Sequence, residues 1–287
     1  MNLNEKLGND FVITTELGPV KGVLVDESLE KASAYLPLSG INVHDCPMAN
    51  LRINAVAMGS LIQNKLGIDA IPHFTCRDRS LLGTQADLLA AHALGIRNIL
   101  VTTGDLPKHG PYPSKAVYDY NTFELIRLIE KMNSGLDYNE KEFGGKTDFT
   151  IACTAMPTAK NLDLELGRMT KKISAGADFF QTQVVYDAEK AITFLKEART
   201  FGKPILTGVM PLKSVKMACF MNDNVEGIDV PEEVIARMEH DGANGIEITC
   251  EFIENIADYT DGIHIMAMGD VKGTNRIIEF INGLVAR

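Results

Sequence analysis

The stretch "NILVTTGD", Asn98–Asp105, decides the fold. A run of apolar and β-branched residues favours a pleated strand, and Gly-Asp ends it. Two hydroxyls, a bare backbone and a carboxylate therefore arrive together at the end of a buried strand. Similar runs recur along the chain: "FVITTE" (11–16), "GINV" (40–43), "AIPHFT" (70–75), "FTIACT" (149–154), "FFQTQ" (179–183), "ILTGV" (205–209) and "IHIMA" (263–267). Between them, stretches such as 81–95, 121–135 and 189–200 carry apolar residues at helical spacing. Eight strands alternating with helices predict a parallel (β/α)₈ TIM barrel, a single α/β domain over 1–287. A doubly wound sheet is the rival on strand count. No Pro/Gly/Ser-rich linker divides the chain, and 106–119 and 137–148 read as loop insertions.

The 287 residues carry 28 basic and 38 acidic side chains, a net charge of −10. That balance argues against nucleic acid as the main partner, because neutralising phosphates needs a basic face. Five scattered cysteines with no C-x-x-C pair point to reduced thiols. The polar start "MNLNEKLGND" has no apolar signal core, and no run approaches the roughly 18 apolar residues of a membrane span. The expectation is a cytoplasmic protein.

In a barrel of this kind the strand C-termini form the active face. They deliver Glu16 after two threonines, His44 and Asp45, His73 and Thr75, Thr102 to Asp105, Cys153 and Thr154, Gln181 to Gln183, Gly208 and Met210, and Met266 and Met268. One polar strand end is a turn; polar ends from at least five strands converge as a site. Gly104 would let a ligand approach the backbone closely. No strand end carries a Schiff-base lysine and no G-x-S-x-G elbow is present. Glu16, His44, Asp45 and His73 could be imagined around a metal, but no H-x-H or H-E-x-x-H occurs, so no metal is expected. Carboxylates, amides and hydroxyls around a cavity suit a planar, hydrogen-bonding heterocycle. Arg168, Lys171 and Lys172 share one face of a helical stretch. Spacing alone allows either a solvated face or a clamp for phosphates, and no G-x-G-x-x-G accompanies it.

Three stretches, "PHFTCRDRSLLGTQADLLAAHALGIRNILVTTGD", "AGADFFQTQVVYD" and "ILTGVMPLKS", together resemble the methylenetetrahydrofolate reductase family, closest to the reductase portion fused to bacterial homocysteine methyltransferases. The resemblance runs in order along nearly the whole chain. It implies a barrel that binds FAD and reduces 5,10-methylenetetrahydrofolate to 5-methyltetrahydrofolate in one-carbon metabolism. It places the catalytic acid at Glu16, with pterin contacts at Asp105 and Gln183. Flavin contacts fall at His73, Thr102, Thr103, Gly104 and Asp105, and at Tyr118 and Asp119 in "VYDYNTFEL". Phosphate-side contacts fall at Arg168, Lys171 and Lys172, and a ligand-stacking aromatic falls at or beside Phe220.

The chain also departs from its relatives. Many carry Asn or His where Met156 stands, some an aromatic near Ala152, and many an Arg about where Asp270 lies. The first departure implies a reshaped FAD site, the last an altered hold on the folate tail or a nicotinamide donor. Partial burial at the barrel mouth is expected to bring Glu16 toward ambient pH, where an acid works best. The electron donor is NAD(P)H or, in the alternative, a partner electron-transfer protein, with this chain a homo-oligomer or a complex subunit. A flavin-free folate-binding module and a metal-dependent hydrolase are the remaining rivals.

Overall fold

The computed structural model describes residues 3–225, 227–240, 242, 244–266 and 268–286. Eight parallel strands close into a barrel in chain order: β1 (Val12–Leu17), β2 (Gly40–Val43), β3 (Ala70–Thr75), β4 (Asn98–Thr102), β5 (Thr150–Ala155), β6 (Phe179–Val184), β7 (Ile205–Val209) and β8 (Gly262–Ile265). The doubly wound alternative is excluded because β1 pairs with both β2 and β8. The last strand ends at Ile265, short of the 263–267 expected, and Ala267 lies outside the described residues.

A short α1 (Leu3–Lys6) precedes the barrel. The outer ring is α2 (Asp26–Ser33), α3 (Ala55–Leu66), α4 (Leu81–Ala93), α5 (Thr122–Asn133), α6 (Leu162–Ala175) and α7 (Ala188–Ala198), completed beyond β7 by α8 (Val215–Asn224), α9 (Glu232–His240), α10 (Gly245–Ile256) and α11 (Val271–Val285). Asparagine caps recur: Asn54, Asn121, Asn161 and Asn244 each accept from backbone N–H groups at a helix start. The two insertions lie at opposite ends, 106–119 between β4 and α5 and 137–148 between α5 and β5.

The period of two along each strand stacks the barrel interior in layers. Val12, Ile71, Leu100, Ala152, Phe179 and Leu206 form an apolar floor, and fully buried Leu3 of α1 packs into it. Two residues further along their strands come Thr14, His73 and Gln181, and two further again Glu16 and Gln183. Each such strand therefore climbs from apolar through neutral polar to the polar mouth. The intervening residues, such as Ile13, Phe74, Val101, Cys153 and Phe180, face the helices in the main core.

Candidate functional site

At the strand C-termini lies a cavity of about 540 Å³, lined among others by Glu16, His44, His73, Thr102, Thr103, Gln181, Gln183 and His264. Glu16 is the penultimate residue of β1 and His44 follows β2; His44 Nε2 lies 2.9 Å from Glu16 Oε2, with side chains 24% and 13% exposed. The His44 ring meets His73 edge-on, centroids 4.9 Å apart. Burial would raise the Glu16 carboxyl, but the hydrogen bond and charge of His44 hold it net below the usual carboxylate value. Burial opposes the His44 imidazolium, yet Glu16, aided by Asp105, holds it above the usual histidine value. The expectation that burial tunes Glu16 upward is thus corrected: its histidine partner outweighs desolvation.

Beneath this pair runs a neutral network. Asn42 Nδ2 donates to Gln181 Oε1 at 2.7 Å and meets His73 Nε2 at 3.1 Å. Gln181 Nε2 donates to Asn42 Oδ1 at 3.1 Å and to Thr14 Oγ1 at 3.3 Å. Thr14 Oγ1 lies 2.9 Å from His264 Nδ1. Burial pushes both rings down, His73 well below the usual histidine value and His264 to about 4. Asn42 and His264 escaped the sequence reading. Stepping back two residues from Glu16 and Gln183 finds Thr14 and Gln181, but no local signal names the groups opposite them.

On the α6 side, Lys172 and Arg168 line the cavity, whereas Lys171 is exposed and lies outside its wall. Lys172 Nζ donates to the Thr154 carbonyl at 2.6 Å, and burial lowers its pKa. Buried Glu165, also unforeseen, accepts from the Met156 N–H at 3.1 Å and lies 3.4 Å from Arg168 Nη1. Met156 itself lines the cavity and packs on Gly227, whose φ is +83°. Leu100, Phe123, Ala155 and Met266 supply apolar wall.

Other expected positions lie beside the cavity rather than on it. Asp105 Oδ2 accepts from the Met48 N–H at 2.6 Å, which ties two mouth loops together. Gly104, at φ +86°, is closely approached by Thr75 and Arg77, so its lack of a side chain serves the packing of the chain on itself. Tyr118, with φ +44°, donates to the Gly104 carbonyl at 3.4 Å. Asp119 accepts from the Leu81 N–H at the start of α4. Asp45 is buried against Thr75 and Arg79, away from the cavity wall. Phe220 is 57% exposed on α8 and does not line the cavity. Asp270 caps α11. Among the described residues, no group of three or more His, Cys, Asp or Glu side chains could hold a metal ion, and no helix is long and apolar enough to cross a membrane.

Comparison with known proteins adds a family. The chain is 28% identical over 182 residues to a probable methylenetetrahydrofolate reductase (NADPH) of Caenorhabditis elegans, covering 60% of this chain and 25% of the relative. It is 26% identical over 234 residues to methylenetetrahydrofolate reductase 2 of Saccharomyces cerevisiae, covering 77% of this chain and 38% of the relative. The chain therefore spans well under half the length of these curated relatives. Among solved structures, Yersinia pestis DHPS with a pterine-sulfa conjugate superposes with a TM-score of 0.52 at 12% identity, covering 96% of this chain and 93% of that one, a likeness of fold. The sequence pattern of methylenetetrahydrofolate reductase matches residues 6–282, and the chain belongs to that family.

Proposed function

We propose that this chain binds FAD at the barrel mouth and reduces 5,10-methylenetetrahydrofolate to 5-methyltetrahydrofolate, with Glu16 delivering the proton. The observation that carries the reading is a carboxylate at the head of the cavity with a histidine donating to it at 2.9 Å. Family membership supplies the substrate class, since the relatives are named for this reaction.

The residues present fit the cofactor. Leu100, Phe123, Ala155 and Met266 offer apolar wall to a planar ring, Thr102, Thr103 and His73 offer polar groups, and Lys172 and Arg168 offer cations to an anionic tail. Exposed Lys171 would extend that charge, with Tyr118 and Asp119 at the neighbouring loop. FAD, once reduced, supplies the hydride. Gln183 would hold the pterin edge by its amide, as would Asp105 through the oxygen that Met48 leaves free; Phe220 would have to swing from its exposed position to stack. Glu16 gives a proton to N10, the five-membered ring opens, and the carbon left on N5 as an iminium is reduced to the methyl group.

A second reading concerns the donor. Val23, Leu24, Met48, Leu51, Leu106 and Tyr112 are large apolar side chains, all exposed, on the β1–α2, β2–α3 and β4–α5 loops. These loops follow strand C-termini, and exposed apolar side chains there would suit a protein partner that delivers electrons. The test is anaerobic. The purified chain should show flavin absorbance, and methylenetetrahydrofolate should reoxidise the reduced flavin; a colourless chain, or flavin untouched by the folate, defeats the reading. Bleaching by NADH or NADPH alone would remove the partner-protein alternative.

A further inference from the structure

We propose that His44 stores the proton the reaction consumes and passes it through Glu16, so that the acid is the Glu16–His44 pair and His44 is its positioning residue. This rests on the folate-reducing reading above. Three histidines line the cavity, and their partners set them different tasks.

His73 and His264 are held as acceptors. The Asn42 amide nitrogen spends one hydrogen on Gln181 Oε1 at 2.7 Å and the other on His73 Nε2 at 3.1 Å. The Gln181 amide nitrogen spends its hydrogens on Asn42 Oδ1 and on Thr14 Oγ1, and the Thr14 hydroxyl hydrogen is free to point at His264 Nδ1, 2.9 Å away, when that nitrogen is bare. Donors thus run outward from the amide pair and end on the two rings, and protonating either accepting nitrogen would break the chain. His44 alone of the three faces a carboxylate, at 2.9 Å. A neutral His73, 4.9 Å from His44 between ring centroids, also spares His44 a like charge beside it.

The surroundings agree element by element. Glu16 on β1 and Asp105 beyond β4 both favour the imidazolium. Burial keeps His73 on β3 and His264 on β8 neutral, for His264 against the pull of the Glu16 charge. Tyr35 after α2 is held protonated by burial and by the Glu16 charge. Asp45 beside His44 is already paired with Arg79 at 2.6 Å. Arg168 and Lys172 line the same cavity, one next to Glu165 and the other on the Thr154 carbonyl.

The step balances without electron transfer. The His44 Nε2–H bond breaks as Glu16 takes that proton, the new Glu16 O–H bond breaks as the same proton passes on, and one N10–H bond forms. Glu16 ends as the carboxylate it began as. His44 ends neutral and recovers its proton from solvent. The hydride belongs to the separate step that follows.

The experiment has two arms. In the first, the flavin-free chain carrying ¹⁵N-labelled histidine is titrated by NMR. His44 should be an imidazolium at neutral pH and titrate above about 6.5, the ordinary value. His73 and His264 should stay neutral, and Glu16→Gln should bring the His44 titration down. A neutral His44 at pH 6 overturns the proposal, and this arm still decides if a His44 variant fails to fold. In the second arm, His44→Gln keeps a donor to Glu16 but stores no proton. The pH profile of flavin reoxidation by methylenetetrahydrofolate should shift its falling limb by one unit or more toward the carboxylate range. That is a loss of about tenfold or more at pH 7.5, recovered on acidification, with KM for the folate changed by less than about twofold. An unmoved limb overturns the delivery route even if His44 is cationic. Should the wild-type chain show no reoxidation at all, the function proposed above fails and the delivery step with it, while the NMR arm still reports where the proton sits.

Discussion

Asn42 of β2 and Gln181 of β6, 139 residues apart, exchange two amide hydrogen bonds inside the barrel, of 2.7 and 3.1 Å. Both side chains are buried, so each satisfies what water otherwise would. Asn42→Ala strands the Gln181 amide and removes the donor to His73. The expected cost is about 1–3 kcal/mol for each buried group left unpaired. A urea-unfolding cycle of Asn42→Ala, Gln181→Ala and the double variant should show coupling of about 0.5–3 kcal/mol. Additive effects would show that the pair does not act as a unit.

Glu16→Gln preserves shape and a hydrogen bond to His44 but has no proton to give. Reoxidation of the reduced flavin by methylenetetrahydrofolate should slow by roughly 10²–10⁴. Reduction by the donor should slow far less, because that half-reaction asks nothing of this carboxyl. Stopped-flow records of the two half-reactions separate them, and a wild-type reoxidation rate would take the acid's role from Glu16.

Lys172 reaches the cavity from α6, with its Nζ on the Thr154 carbonyl. Burial costs this ammonium, and an incoming anion would offset that cost. Lys172→Ala should weaken FAD binding by about 1.5–3 kcal/mol, the worth of a charge-assisted hydrogen bond and roughly ten- to a hundredfold in Kd. Equilibrium titration of the flavin-free chain measures it. If Arg168→Ala with Lys172→Ala binds FAD as the wild type does, the two cations belong to a solvated face.

His264 makes acid destabilising. Its folded pKa is depressed to about 4, so below pH 6.5 the unfolded chain binds the proton that the folded chain refuses. The stability lost is nil above 6.5, grows as pH falls, and is complete near 4, roughly 3 kcal/mol in all. His73 is depressed in the same direction and adds to the loss. Glu16 adds to it only at lower pH, as the medium falls through its own lowered value. Urea midpoints between pH 7 and 4.5 should decline more steeply in the wild type than in His264→Gln; parallel declines would count against a buried neutral ring.

The fold and part of the site were legible in the residues themselves. Runs such as Ile99–Thr102 and Phe179–Gln183 declare strands because β-branched and aromatic side chains suit a pleat, and their polar ends declare a mouth. Glu16, His73, Thr102, Thr103, Arg168, Lys172 and Gln183 all line the cavity, as residues at strand ends or on an adjoining helix face should. Which polar group meets which was decided by tertiary structure. Closure of the barrel sets Thr14 against His264, 250 residues away, and the register of β2 on β1, with Asn42 beside Glu16, brings His44 within reach of that carboxylate. Local patterning assigns a side chain to a face but says nothing of what stands opposite. The engagement of Asp105 with Met48, of Asp119 with the start of α4, and of Gly104 with Thr75 and Arg77 was hidden for the same reason. So was the state of Glu16: burial alone raises a carboxyl, and only the histidine brought to it by the fold turns that shift around.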